Sequence, residues 1–97
     1  MIAQTEHYLN SAAQILKITQ EDLILQGLRS LLEKQLRELR AEIFAITGKY
    51  GISGVTEMEQ KYRQGTLEEA DSWQDFQKLD HLEFKKDQLI KLLDNLP

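Results

Sequence analysis

Residues 18–51 read ITQEDLILQGLRSLLEKQLRELRAEIFAITGKYG and predict one long amphipathic helix. Apolar side chains recur three or four positions apart with no intervening proline, which is the spacing of a buried stripe on a helix. The stripe consists of Leu25, Leu28, Leu32, Leu36, Leu39, Ile43, Ile46 and Tyr50. A helix over residues 20–50 would be a rod of roughly 46 Å, which a compact domain of 97 residues could not cover.

Local signals mark both ends of this predicted helix. Thr19 and Asp22 fit a capping box, in which each side chain satisfies a free backbone N–H of the first turn. Gly51 predicts the end of the helix, because a residue without Cβ adopts the left-handed conformation that stops it. Gly27 lies inside the helix at a cost of about 1 kcal/mol relative to alanine. It indicates either a close backbone crossing or a tolerated glycine.

The remaining sequence predicts further helices and no β-strand. Residues 4–17 predict a short helix that folds back on the start of the long one, and residues 73–96 predict a C-terminal helix. Residues 56–72 predict short helices and turns, with Gly65 closing the first. Three more capping boxes are indicated there: Thr56 with Glu59, Thr66 with Glu69, and Ser72 with Asp75. The prediction is a single all-α domain over residues 1–97, built as a long antiparallel helical hairpin with a short N-terminal helix.

A hairpin of long helices buries one stripe of each rod and leaves other apolar side chains exposed. Such side chains are Leu23, Ile24, Leu31 and Phe44. We therefore expect self-association into a dimer or tetramer that completes a bundle. The candidates for the core or the self-interface are Leu25, Leu28, Leu32, Leu36, Leu39 and Ile43.

Composition narrows the class of protein. The sequence has no cysteine, which excludes disulfides, thiolate metal sites and cysteine nucleophiles. The first ten residues lack the basic and apolar regions of a signal peptide, and no apolar run approaches the ~20 residues of a membrane span. We expect a cytoplasmic protein without a membrane segment.

Charge favours a protein partner over nucleic acid. Residues 1–50 hold 6 acidic and 6 basic side chains, whereas residues 51–97 hold 10 acidic and 6 basic ones. Nucleic-acid binders need a basic surface that neutralises phosphates. The acidic C-terminal half therefore favours a small basic protein, and nucleic acid is not expected to bind this chain alone.

No pattern commits the chain to catalysis or to a cofactor. His81 could in principle hold a metal with Asp80, Glu83 and Asp87, but a solvated helix face is by far the better explanation of these residues. Neither histidine has the Glu-x-x-His spacing of a di-iron bundle. The sequence has no nucleophile elbow and no phosphate-binding loop. We expect no enzymatic activity, no cofactor and no metal.

One group of residues suits a protein interface. It combines two aromatic residues with nearby acids: Trp73, Phe76, Glu68, Glu69, Asp71 and Asp75. Aromatic anchors rimmed by charged groups are typical of binding hot spots. Two alternatives remain open: Trp73 could be a core residue, and the acids could serve as helix caps and complement the helix dipole.

Residues 16–43, LKITQEDLILQGLRSLLEKQLRELRAEI, resemble a pattern of VapB-type prokaryotic antitoxins. That pattern has a hydrophobic residue, a Thr/Ser-x-Glu-Asp/Glu-Leu cap, and a leucine-rich helix that becomes charged. The matching residues are Ile18, Thr19, Glu21, Asp22, Leu23, Gly27, Leu28, Leu31, Leu32 and Glu33. Residues 40–60 and 72–89 are similar to short uncharacterised archaeal and cyanobacterial helical proteins.

The resemblance implies one antitoxin activity and not the other. VapB-type antitoxins place a basic β-strand or arm before this helix to bind operator DNA, whereas the first basic residue here is Lys17. The resemblance thus implies an acidic helical surface that masks a basic toxin. We predict a small protein-binding module that is antitoxin-like in the sense of masking or recruiting a basic partner. The alternative is a structural homo-oligomer without a second partner.

Overall fold

A computed structural model describes residues 2–97 of the chain, with side chains from Ala3 onward. The described residues fold into four helices: α1 (Ile2–Leu16), α2 (Gln20–Tyr50), α3 (Val55–Arg63) and α4 (Glu69–Asn95). No strand occurs among them. The predicted all-α hairpin with a short N-terminal helix is therefore confirmed.

The long helix α2 begins and ends where the sequence predicts. Thr19 Oγ1 accepts a hydrogen bond of 3.0 Å from the backbone N–H of Asp22. Gly51 lies in the left-handed region with φ of 63°, and its N–H donates to the carbonyl of Thr47. Both ends are thus fixed by contacts between neighbours in sequence.

Helix α1 folds back on the first part of α2, as expected. The turn between them passes through Lys17 in the left-handed region, with φ of 59°, and the N–H of Ile18 donates to the carbonyl of Ala13 over 3.1 Å. Ala13 is buried. Its small side chain suits the close approach of the two helices at this turn.

Helices α2 and α4 form the antiparallel hairpin, and α3 closes one end of it. Asp75 lies beside Tyr50, whereas Lys85, further along α4, borders a depression shared with Glu38. The chain direction of α4 is therefore opposite to that of α2. The buried apolar cluster joins α2, α3, α4 and the α2–α3 connection through Leu39, Ile46, Ile52, Met58, Leu79 and Leu82.

Three predicted capping boxes are wrong. Thr56 lies inside α3, which begins at Val55 without a side-chain cap from Gly54. Helix α4 begins at Glu69, four residues before the predicted start, and Glu68 provides no side-chain cap. The Thr66 hydroxyl donates instead to the carbonyl of Lys61 over 3.2 Å.

Ser72 of the third predicted box instead contacts the residue before α4 and a residue of α3. Ser72 is buried, and its hydroxyl donates to the carbonyl of Glu68 over 2.7 Å. It also pairs with the Tyr62 hydroxyl at 2.6 Å. Gly65, with φ of 72°, follows the end of α3 as predicted.

The start of α3 is capped from another helix. Glu83 of α4 accepts a hydrogen bond of 3.0 Å from the N–H of Val55. A carboxylate at a helix N-terminus also complements the helix dipole. Glu83 therefore adds a polar contact between α4 and α3 to the apolar packing of Met58 in the shared cluster.

We expect Glu83→Ala to lower the free energy of unfolding by about 1 kcal/mol, the usual effect of losing an N-cap. Glu83→Gln should retain part of this stability, because an amide oxygen still accepts the bond. Urea unfolding followed by circular dichroism measures both variants against Asp87→Ala, which removes an exposed acid from the same helix. Equal stability of Glu83→Ala and Asp87→Ala would contradict this role of Glu83.

The folded chain is strongly elongated. Its principal-axis extents are 61 × 24 × 18 Å, and its radius of gyration is 19.7 Å. A compact chain of this length has a radius of gyration of about 13 Å. The long α2 is thus covered by α1 over its first part and by α4 over the rest, without a compact globule forming around it.

Candidate protein-binding surface

The predicted partner-binding residues lie at the beginning of α4. Glu68 precedes the helix, and Glu69 and Asp71 lie in its first turn with exposed side chains. Trp73 follows and remains 45% exposed. Trp73 is therefore a surface residue, which removes the alternative of a core tryptophan.

Two further aromatic rings support Trp73. Its ring stacks on Phe76 with centroids 5.3 Å apart and an interplanar angle of 18°. Phe76 in turn meets Tyr62 of α3 edge to face, with centroids 5.6 Å apart. The Tyr62 hydroxyl is tied to Ser72. The aromatic group is therefore held by contacts between two helices, which favours a fixed binding surface.

These rings border a shallow depression of about 340 Å³, here termed the Trp73 depression. The residues that line it are Glu59, Tyr62, Arg63, Glu69, Trp73 and Phe76. Arg63 lies 3.7 Å from Glu59, and the two charges offset each other. The negative charge of Glu69, the other carboxylate that lines the depression, is not offset in this way. The depression thus combines aromatic area with negative charge, the combination that attracts a cationic side chain.

Sequence reasoning missed the contribution of α3 to this surface. Tyr62 and Arg63 follow Glu59 by three and four residues and so lie on the same face of α3 as Glu59. That spacing could have indicated a shared face. It could not indicate that the face would lie beside Trp73, because the direction of α3 depends on its packing against α4.

Asp75 has a different role from the other predicted acids. Its carboxylate accepts hydrogen bonds from the Tyr50 hydroxyl at 2.5 Å and from Lys49 Nζ at 2.9 Å. These two bonds hold the pKa of Asp75 below its ordinary value, and the bond from Tyr50 has the larger effect. Partial burial of the carboxylate acts in the opposite direction but is weaker. Asp75 therefore joins α4 to the end of α2 and is less available to a partner than Glu68, Glu69 or Asp71.

The predicted self-interface residues are divided between the core and the surface. Leu36 and Leu39 are buried within one chain, and Ile43 packs against the apolar cluster. Leu25 and Leu32 are half-buried, whereas Leu28 is 39% exposed. The second half of the predicted stripe thus packs inside the α2–α4 hairpin. Leu28 is the most exposed of the six predicted residues and so the most accessible to another chain.

A second apolar surface lies between α1 and α2. It is a depression of about 600 Å³, here termed the α1–α2 groove, lined by Thr5, Tyr8, Leu9, Ala12, Leu23, Ile24, Gly27 and Leu28. A Cβ built on Gly27 would meet no atom within 4 Å. The close backbone crossing considered for Gly27 is therefore absent within the chain.

The described residues contain neither a candidate metal site nor a candidate membrane span. Across them, no three acidic or histidine side chains converge as a metal ion would require, and Glu83 of the possible His81 group caps α3 instead. The part of the chain that the structure describes also contains no helix with the length and apolar character needed to span a membrane.

Comparison with known protein families identifies the family of this chain. The model of a family described as the uncharacterized protein MJ0235 family matches residues 1–97. The chain belongs to this family. The match agrees with the similarity to uncharacterised helical proteins, and it does not show a VapB-type antitoxin family. No curated protein and no solved structure matches this MJ0235 family member.

Proposed function

We propose that this chain is a protein-binding module that binds a small basic protein at the Trp73 depression. The observation that carries the proposal is the exposed Trp73 ring, stacked on Phe76 beside carboxylates that are exposed to solvent. Tryptophan is enriched among residues that dominate binding energy, particularly where surrounding groups exclude water from it. The activity is binding rather than catalysis.

The charge of the surrounding surface supports a basic partner. Glu68, Glu69 and Asp71 are exposed at the start of α4, and they follow one another within one helical turn. They also complement the dipole of α4, but that interaction leaves their outer oxygens accessible. Acidic groups arranged in this way accelerate and orient the approach of a positively charged protein.

The consequence for the partner would be masking of its basic surface. This is the antitoxin-like activity that the resemblance of residues 16–43 implies. A toxin or a nucleic-acid-binding protein depends on its positive surface for contact with phosphates. Covering that surface with the acidic half of this chain would inhibit it without any chemical reaction.

Affinity capture from nuclease-treated extract of the source organism tests the proposal. The wild-type chain should retain a small basic protein in fixed stoichiometry, and Trp73→Ala should weaken the purified complex by about 30-fold. Trp73 is the one tryptophan of the sequence, so its fluorescence reports binding directly. The matched control is Phe84→Ala, which removes another exposed aromatic ring from α4.

A second pair of variants tests the electrostatic part. Reversing Glu68, Glu69 and Asp71 together to lysine should weaken binding by at least about 10-fold at low salt and flatten its salt dependence. The control reverses Asp80, Asp87 and Asp94, which are exposed acids elsewhere on α4. Both triple variants change net charge equally. Equal binding by the two would show that position is irrelevant and would contradict the proposed surface.

A second candidate function is a structural homo-oligomer. It is favoured by the radius of gyration of 19.7 Å, which greatly exceeds the value for a compact chain. In that case Trp73→Ala would change the stability or assembly of the chain alone, and capture would recover no second protein. Sedimentation velocity of the purified chain measures this candidate independently of any partner.

A further inference from the structure

We infer that a second copy of this chain binds in the α1–α2 groove, with the two α2 helices antiparallel and the twofold axis between Gly27 and Leu28. The inference rests on the self-association in the second candidate function and specifies its surface and direction. It leaves the Trp73 depression at the other end of the hairpin free for a basic partner.

The exposed area of the chain supports an interface of this kind. The folded chain exposes 7313 Å², whereas a compact monomer of its mass exposes about 5,700 Å². The excess is about 1,600 Å² per chain. Stable dimers bury about 800 Å² per partner or more, and obligate ones bury up to several times that area. A dimer interface of the larger, obligate class would therefore account for the excess.

The character of the groove favours a second copy over the basic partner. The residues that line the groove carry no formal charge, and residues 1–50 have equal numbers of acidic and basic side chains. Two such surfaces meet without net repulsion, whereas two acidic C-terminal halves would repel each other. A basic partner would gain no electrostatic attraction from the groove.

The spacing of apolar residues favours an antiparallel arrangement. Ile24, Leu28 and Leu31 are exposed, and their spacing places them along one edge of α2 beside the groove. An axis between Gly27 and Leu28 brings Ile24 level with the partner's Leu31. Leu28 then faces the partner's Gly27, where no atom occupies the place of a side chain. A parallel pair would instead oppose Leu28 to its equivalent and leave a gap between two glycines.

This arrangement would complete a four-helix bundle from α1 and α2 of each copy. Helices of such bundles bury apolar edges that neither pair covers alone. The exposed Tyr8 of α1 borders the same groove and would be covered. Phe44 lies elsewhere: its position on the helical wheel of α2 is nearly opposite Ile24 and Leu28. Phe44 is therefore outside the inferred interface.

Sedimentation velocity and light scattering test the location. The wild-type chain should have twice its mass of 11.3 kDa, and Leu28→Glu should be a monomer at micromolar concentration, because an unpaired carboxylate opposes burial. Phe44→Glu adds the same charge at a more exposed site, 76% against 39%, and should remain a dimer. Circular dichroism checks that both variants keep their helix content.

Disulfide trapping tests the direction. The sequence has no cysteine, so Ile24→Cys and Leu31→Cys chains carrying different tags can be mixed and oxidised. The antiparallel register predicts mixed disulfides between positions 24 and 31. Identical positions would be about 10 Å apart along the axis, beyond the Cα separation of a disulfide. Phe44→Cys should remain uncrosslinked.

Each outcome has a distinct meaning. A monomeric wild-type chain would overturn both self-association and this inference. A dimer that survives Leu28→Glu would overturn the groove alone, and disulfides between identical positions would overturn the antiparallel register. Binding of a basic protein at the Trp73 depression is measured separately and stands or falls by the Trp73→Ala result.

Discussion

Leu79→Ala is expected to lower the free energy of unfolding by about 2 to 5 kcal/mol, the range for removing a buried leucine side chain. Leu79 has no exposed surface and belongs to the cluster that joins three helices. Met58 of α3 is equally buried. A cavity at this point would therefore loosen α2, α3 and α4 together, in a domain whose total stability is typically only about 5 to 15 kcal/mol.

Urea unfolding at a fixed chain concentration measures this effect, because self-association would add stability that depends on concentration. Phe84→Ala is the control: it removes a larger apolar side chain from α4, but one that is 63% exposed. We expect that change to stay within about 0.5 kcal/mol. If the two variants lowered the free energy of unfolding by similar amounts, Leu79 would not be at the core of the hairpin.

The elements that could be predicted are those whose signals are local. Thr19 caps its own helix through Asp22, and Gly51 ends that helix through its own backbone angle. Neither contact depends on a distant part of the chain. The apolar stripe is also local, because helical spacing alone decides which side chains share a face. For these reasons the bounds of α2 agree with the sequence prediction.

The starts of α3 and α4 could not be predicted in this way. A Ser or Thr three residues before an acid is frequent by chance, and Thr56, Thr66 and Ser72 all show the pattern without capping a helix. The donor at the start of α3 is satisfied by Glu83, 28 residues away. Such a contact exists only after the hairpin has formed, so no local pattern could indicate it.

The residues of the candidate site also separate into those with a local sequence signal and those that depend on the fold. Trp73 and the acids of the first turn of α4 were predicted, because an aromatic residue among acids is visible in the sequence itself. Tyr62 was not, since it reaches the site through packing of α3 on α4. Asp75 belongs to the same acidic group in the sequence, but its hydrogen bond from Tyr50 depends on the pairing of α2 with α4.

Asp75→Ala is expected to lower the free energy of unfolding by about 1 to 2 kcal/mol at neutral pH. It removes two hydrogen bonds to one carboxylate, a loss worth up to about 3 kcal/mol for charged groups. The expected effect is smaller because the carboxylate is partly exposed and solvent screens the Lys49 interaction. Asp75→Asn should cost less, since its amide oxygen can still accept from Tyr50. Asp80→Ala, which removes an exposed acid five residues further along α4, should have little effect.

The contribution of Asp75 should disappear at both extremes of pH. The pKa of Asp75 is lowered by Tyr50 and Lys49, so its contribution is complete above the unfolded value of about 3.9 and is lost as pH falls through the folded value. The pKa values of Tyr50 and Lys49 are both raised, chiefly by their hydrogen bonds to Asp75. Their contributions are complete below about pH 10 and are lost as pH rises through the folded values. The stability difference between wild type and Asp75→Ala should therefore form a plateau between about pH 4 and 10. A difference that stayed constant below pH 3 would mean that the bonds to Asp75 do not depend on its charge.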